Sequence, residues 1–199
     1  GWGDPAFEFI LINDPMGTTA AYAHLLNFDS VHGRWQLEAT SEGDVLIIGQ
    51  HRIPVTHHKD IAETDWSGCD VVIESSGRIK NAAGAQGYLD QGVKRVVISA
   101  PAQGVLNIVM GVNDHLFDPA KHQVITAASC TTNCLAPVVK VIHENLKIRH
   151  GSMTTIHDLT NTQSVLDQPL NDLRLARASS ISLIPSTTGS ASAIAEIFP

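Results

Sequence analysis

The chain has 199 residues, of which 43% are apolar and 17% charged, and its net charge is −7. This composition is typical of a soluble globular protein with one domain or two small ones, and it argues against nucleic acid or anionic membranes as partners. Three cysteines give no disulfide framework, which favours a reducing cytoplasm, and no apolar run is long enough to span a membrane.

Up to about residue 128 the sequence alternates between strand and helix patterns. In chain order we predict a strand at 7–12, a helix at 18–28, a hairpin at 45–48 and 53–55 around Gly49, a strand at 69–74, a helix at 81–91 and a strand at 95–99. Continuous apolar runs are typical of parallel strands covered on both faces. The pattern therefore predicts a doubly wound α/β domain.

The pattern changes at Ser129. A helix is predicted from there to about Lys147, and a long strand at 150–159. Ser129 is a good N-cap residue, so Cys130 falls in the first helical turn, where free N–H groups and the helix dipole favour a thiolate. From its position alone, Cys130 could equally be a small buried core residue. Cys134 follows on the same helix face, which leaves a thiol redox pair open, whereas two ligands do not make a zinc site.

Residues 128–137, Ala-Ser-Cys-Thr-Thr-Asn-Cys-Leu-Ala-Pro, closely resemble the active-site signature of the phosphorylating glyceraldehyde-3-phosphate dehydrogenases. Other segments resemble the same family in the family's order, at 24–33, 99–101, 111–113, 153–157, 160–161 and 184–189. The resemblance covers nearly the whole chain. It implies a Rossmann-type NAD-binding domain over residues 1–128 and part of an α+β catalytic domain over residues 129–199.

The resemblance also implies the chemistry. Cys130 would attack the aldehyde of glyceraldehyde 3-phosphate, a hydride would pass to NAD, and phosphate would release the acyl thioester. His157 stands at the family's base position, although a histidine on an apolar strand is more often a core residue. The residues implied to bind the attacking phosphate are Ser129, Thr131, Thr188 and Gly189, and Thr160 is implied to bind the substrate's own phosphate.

The implied cofactor residues are Asn13, Asp14, Lys59, Ser76, Gly77 and Ser99. The Asp14 carboxylate would bind the adenosine ribose and repel a 2′-phosphate, which favours NAD over NADP. Some positions depart from the family: Lys59 replaces an arginine, and Gln168 replaces a leucine common in NAD-preferring members. Ser192 and Thr162 replace a lysine and an aspartate, which puts substrate affinity in doubt.

A ribose-binding acid is expected about 20 residues after a glycine-rich turn, but only 13 residues precede Asp14. We therefore expect that the first strand and the phosphate-binding loop are missing, and that the chain is truncated at both ends. A full-length family member would be a cytoplasmic homotetramer of glycolysis.

Several alternatives remain open. Segments such as 104–107 and 111–119 resemble the version associated with arsenic-resistance operons, which would use arsenate in place of phosphate. Erythrose-4-phosphate dehydrogenase shares the cysteine and the histidine, and a non-catalytic NAD-binding or assembly fragment would lack turnover. His51, His57 and His58 could suggest a metal, but their place in and after the hairpin favours a solvated face.

Overall fold

The computed structural model describes residues 4–198. The strands are β1 (Ile12–Asn13), β2 (Phe28–Asp29), β3 (Gly33–Arg34), β4 (Ala39–Glu42), β5 (Val45–Ile48), β6 (His51–Thr56), β7 (Val71–Glu74), β8 (Arg95–Ile98), β9 (Leu106–Asn107) and β10 (Val124–Thr126). The α-helices are α1 (Thr19–Asn27), α2 (Gln86–Leu89), α3 (Cys130–Leu146) and α4 (Ser190–Ile197).

A parallel sheet forms the centre of the fold, with strand order β7-β8-β10-β9. Glu74, Ile98 and Thr126 are paired across three neighbouring strands, so these strands end at one edge of the sheet. One face packs on an apolar cluster that includes Val96 and Tyr88. These elements confirm the predicted α/β class with parallel strands.

The other face of this sheet is less covered at its β7 edge. The side chains of Val71 and Ile73, which alternate with the buried residues of β7, are 55% and 68% exposed. Strand β7 hydrogen-bonds to β8, and its second edge carries no strand among the described residues. The structure therefore leaves an apolar strip at an open strand edge.

A second sheet has the order β1-β6-β5-β4, in which β1 and β6 are parallel and the remaining pairs antiparallel. The predicted hairpin is confirmed as β5 and β6, and Gly49 takes a positive φ of 59° at its turn, a conformation that glycine adopts without strain. The predicted helix after Gly17 is confirmed as α1. Thr18 caps its N-terminus, because the Thr18 side chain accepts a hydrogen bond from the Ala21 N–H at 3.2 Å.

Three predicted elements differ from the structure. The strand predicted at 7–12 is shorter, because β6 pairs only with Ile12 and Asn13. The helix predicted at 81–91 is a 3₁₀ turn at Ala83–Ala85 followed by the short α2. The strand predicted at 150–159 is wrong: that segment forms neither helix nor strand and is mostly exposed, and no described strand lies beside it to complete a hydrogen-bond ladder.

The long helix after Ser129 is confirmed as α3. Its C-cap is Lys147, which has a left-handed φ of 61° and donates its backbone N–H to the His143 carbonyl. Helix α4 packs against α3 in a small core that contains Ala136 and Ile197. Among the described residues, no helix has both the length and the apolar character that crossing a bilayer would require.

The Asn27 side chain ties the end of α1 to β4. Its amide donates to the Ala39 carbonyl and accepts from the Ala39 N–H, both at 2.7 Å, and Ala39 is buried. We expect Asn27→Ala to leave both groups unpaired and lower the free energy of unfolding by about 2–3 kcal/mol, measured by urea denaturation. Asn145→Ala is the control, because that exposed amide only bonds the Val141 carbonyl within α3. Equal losses in the two variants would contradict this role.

Candidate functional site

The junction between β10 and α3 is a strained turn. Ala128 is buried and has a φ of 57°, in the left-handed region that residues with a Cβ rarely adopt. The Thr126 hydroxyl accepts the Ala128 N–H at 2.7 Å and supports this conformation. The turn lets the chain leave the sheet and start a helix within three residues, as functional sites often require.

Cys130 is the first residue of α3 and is exposed. Ser129 caps the helix: its Oγ accepts the Thr132 N–H at 3.0 Å and lies 2.7 Å from the Thr132 hydroxyl. The N–H groups of Cys130 and Thr131 have no carbonyl one turn back within the helix, so they can bind an anion. The predicted position of the thiol at a helix start is confirmed.

Asn133 is a supporting residue that the sequence analysis missed. Its Nδ2 donates to the Ala127 carbonyl at 2.7 Å and to the Ser129 carbonyl at 2.9 Å. These bonds fasten the strained turn on both sides of Ala128. An asparagine in the first turn of a helix, just after a loop, is a known sequence cue for such bonds to the backbone.

A second helix start lies near the first. Gly189 precedes α4, and the Thr188 hydroxyl accepts the Ser190 N–H at 3.2 Å. Because α3 and α4 pack together, Ser129 and Gly189 line the same cleft, whose volume is about 1410 Å³. Two of the residues predicted to bind the attacking phosphate are thereby brought together, at helix starts that favour anions.

His157 and Thr160 lie in the exposed segment between α3 and α4. The His157 Nδ1 is 2.6 Å from the carbonyl oxygen of Asp158, and Thr160 bonds to Gln163 through its N–H and its hydroxyl. The partner found for the Cys130 Sγ is the Thr131 hydroxyl at 3.9 Å. The structure therefore does not bring Cys130 and His157 into hydrogen-bonding contact, since the segment that carries His157 forms no strand.

The predicted cofactor residues lie at the carboxyl ends of parallel strands. Asp14 follows β1, Ser76 and Gly77 follow β7, and Ser99 follows β8. The Asp14 Oδ1 accepts the Met16 N–H at 2.9 Å, whereas Oδ2 accepts no hydrogen bond from the described residues. Gly77 has a φ of 71°, and a Cβ there would meet nothing within 4 Å. Asp14 follows a strand of the second sheet, and the other three residues follow strands of the central sheet. A carboxylate, exposed hydroxyls and an open glycine turn at the ends of parallel strands fit a dinucleotide.

The Asn13 side chain, unlike that of Asp14, bonds to the end of β6 and the residues just after it. Its Oδ1 accepts from the Thr56 hydroxyl at 2.8 Å and the His58 N–H at 3.0 Å, and its Nδ2 donates to the His58 carbonyl at 3.1 Å. The side chain thus fastens β1 to the end of β6. Lys59 is exposed immediately after this fastening.

The three histidines of the hairpin region form no metal site in the part of the chain that the structure describes. His57 Nδ1 is 2.8 Å from the Asp14 carbonyl oxygen, and His58 Nδ1 is 2.9 Å from the Thr64 hydroxyl. No group of three histidine, cysteine, aspartate or glutamate side chains able to hold a metal is found within residues 4–198.

Two family models match the chain. Residues 2–82 match the NAD binding domain of glyceraldehyde 3-phosphate dehydrogenase, and residues 129–199 match the C-terminal domain of the same family. The second match begins at the N-cap of α3.

Curated relatives agree with these matches. The chain is 53% identical over 201 residues to glyceraldehyde-3-phosphate dehydrogenase 3 of Nostoc sp. (strain PCC 7120), covering 100% of this chain and 60% of the relative. It is 46% identical to the Geobacillus stearothermophilus enzyme and 42% identical to glyceraldehyde-3-phosphate dehydrogenase 1 of Bacillus subtilis, covering 98% of this chain and 59% of each relative. The chain spans about 60% of the length of these relatives and belongs to the glyceraldehyde-3-phosphate dehydrogenase family.

Proposed function

We propose that this chain provides the nucleophile and the cofactor side of an NAD-dependent dehydrogenase that oxidises glyceraldehyde 3-phosphate to 1,3-bisphosphoglycerate. The observation that carries the proposal is the exposed Cys130 at the start of α3, next to Ser129, which lines one cleft together with Gly189 of the second helix start. In this proposal residues 1–128 bind the cofactor and residues 129–199 are the first part of the catalytic domain, within a cytoplasmic homotetramer.

The Cys130 thiolate attacks the aldehyde carbon, and a carbon–sulfur bond forms. The N–H groups of Cys130 and Thr131 stabilise the negative oxygen that results. NAD, when bound, accepts the hydride that leaves this carbon. The acyl group then remains on Cys130 as a thioester until a phosphate oxygen attacks it, the carbon–sulfur bond breaks and the thiolate is restored.

The oxyanions are held by short polar groups. Ser129, Thr131, Thr188 and Gly189 bind the attacking phosphate, because hydroxyl and backbone N–H donors at two helix starts suit its oxygens. Thr160 binds the substrate's own phosphate. His157 accepts the proton that the Cys130 thiol loses before the attack, and returns it to the sulfur when the thiolate has been restored. This transfer requires residues 150–159 to lie beside α3, so their position is decisive for turnover.

The family assignment leaves a choice of oxyanion and of aldehyde. Arsenate has the same tetrahedral shape and charge as phosphate, so the same two helix starts accept it, and the 1-arseno-3-phosphoglycerate product would then hydrolyse. Erythrose 4-phosphate is the alternative aldehyde. Rates measured with each oxyanion and each aldehyde, in the enzyme that contains this chain, discriminate between these reactions.

Alkylation of the three cysteines tests the nucleophile. Near pH 7 we expect iodoacetamide to label Cys130 at least about tenfold faster than Cys134, because both are exposed but Cys130 lies at the helix start. Cys69 should react slowest, since burial, together with the charges of Asp65 and Asp70, raises the pKa of its thiol. Mass spectrometry of the three cysteine peptides measures the rates. Equal labelling of Cys130 and Cys134 would remove the argument for a special nucleophile.

The base is tested by His157→Asn. If His157 stabilises the thiolate, this change should slow the labelling of Cys130 near neutral pH and remove most hydride transfer in the enzyme that contains this chain. His143→Asn is the matched control, because His143 is also exposed but lies near the far end of α3. An unchanged labelling profile and unchanged turnover in His157→Asn would show that this histidine is not the base.

Asp14 gives the cofactor prediction. We expect NAD to bind about tenfold more tightly than NADP, because the Asp14 carboxylate repels a 2′-phosphate. Asp14→Ser should narrow the difference between the NAD and NADP affinities. Asp44→Ser should leave that difference unchanged, because it removes a more exposed carboxylate, near His57. Titration calorimetry measures the affinities of the unaltered chain and of both variants for the two cofactors. Equal affinities of the unaltered chain for both cofactors would contradict the role of Asp14 and direct attention to Gln168.

A further inference from the structure

Glu74, the last residue of β7, is a buried carboxyl group at the edge of the sheet where the cofactor is proposed to bind. Glu74 is only 5% exposed. Oε1 accepts the Ser76 N–H at 2.7 Å, and Oε2 accepts the Tyr88 hydroxyl at 2.6 Å. Among the described residues, no lysine or arginine forms an ion pair with it. A buried carboxyl group held only by these donors needs both of them.

Tyr88 reaches Glu74 from α2, which packs against one face of the sheet. Tyr88 is also 5% exposed, and its ring meets the ring of Trp66 edge-on, with centroids 5.0 Å apart. Burial, and then the hydrogen bond to Glu74, raises the pKa of the Tyr88 phenol above its ordinary value of 10.0. The phenol therefore keeps its proton at neutral pH and donates it to Glu74.

Glu74 is bonded to both segments that are proposed to contact the cofactor after β7 and β8. Its carboxyl group holds the Ser76 N–H, and the Ser76 hydroxyl in turn accepts the Arg78 N–H at 3.1 Å across Gly77. Its main-chain carbonyl accepts the Ser99 N–H at 2.9 Å. The shape of the turn thus depends on the Glu74 side chain, whereas the bond to Ser99 depends only on the backbone.

We propose that Glu74, held by Tyr88, is a positioning residue that fixes the Ser76–Gly77 turn in the conformation that receives the dinucleotide. This inference rests on the proposed function. Glu74 acts through the Ser76 N–H and does not itself touch the cofactor. Gly77 has a φ of 71°, and no atom lies within 4 Å of the place where a Cβ would stand. In this conformation the turn therefore has open space in which it can meet a ligand.

Two variants separate this role from simple core packing. Glu74→Gln keeps the size of the side chain but replaces one acceptor oxygen with an NH₂ group, so one of the two donors loses its partner. Tyr88→Phe keeps the ring against Trp66 and removes only the hydroxyl. In both variants we expect hydrogen exchange at the Ser76 and Gly77 amides to become at least about tenfold faster, measured on the chain without cofactor.

The Ser99 amide is an internal control within the same molecule. Because it bonds the main-chain carbonyl of Glu74, its exchange should remain slow in both variants. Val72→Ala is the matched control variant: Val72 is buried in the same strand and has no bond to the turn. Val72→Ala should lower the free energy of unfolding of the chain, while the ratio of the Ser76 to the Ser99 amide exchange rate stays unchanged.

The affinity for NAD completes the test. We expect the dissociation constant to rise about tenfold in Glu74→Gln and in Tyr88→Phe, and to stay near that of the unaltered chain in Val72→Ala. The inference is overturned if Ser76 and Ser99 exchange faster together, if Ser76 exchange is unchanged, or if Val72→Ala weakens NAD equally. If the unaltered chain does not bind NAD, the proposed function and the cofactor role of Glu74 both fail, and the exchange rates decide only whether Glu74 fixes the turn.

Discussion

The register of the parallel sheet determines where the candidate site residues that follow β7, β8 and β10 lie. Because Glu74, Ile98 and Thr126 are paired across three strands, the segments that follow them leave the sheet at one edge. Those segments carry the Ser76–Gly77 turn, Ser99 and the cap of α3. A slip of one residue in any of these strands would turn its side chains to the opposite face and disperse the edge.

Local signals made much of this predictable from the sequence. A β-branched run predicts a buried strand, a glycine between two apolar runs predicts a hairpin turn, and a serine before a helical pattern predicts a cap. These signals located β7, β8, the β5–β6 hairpin and the start of α3. The Glu74–Tyr88 bond escaped prediction, because it joins two side chains whose positions depend on how β7 and α2 pack. The bonds of Asn133 are local in the chain, and an asparagine just after a helix start is a cue for them.

Residues 150–159 show the opposite case. Their apolar pattern predicted a strand, but a strand is stable only when its N–H and C=O groups find a neighbour, and none lies beside them in the described chain. The position of His157 follows from that pairing and not from its own residue type. The role proposed for His157, like the roles proposed for Thr131, Thr160 and Thr188, came from the family resemblance, which residue patterns alone could not have supplied.

The open edge of β7 has a consequence for how the chain behaves in solution. Within residues 4–198 no strand pairs with the outer edge of β7, so its N–H and C=O groups beside the exposed side chains of Val71 and Ile73 offer a template on which another strand can add. Natural sheets usually protect such an edge with a charged side chain, a proline or a covering helix, and this strip has apolar side chains instead. A strand that adds at this edge would satisfy these groups and cover Val71 and Ile73, and a lysine at either position would oppose that addition.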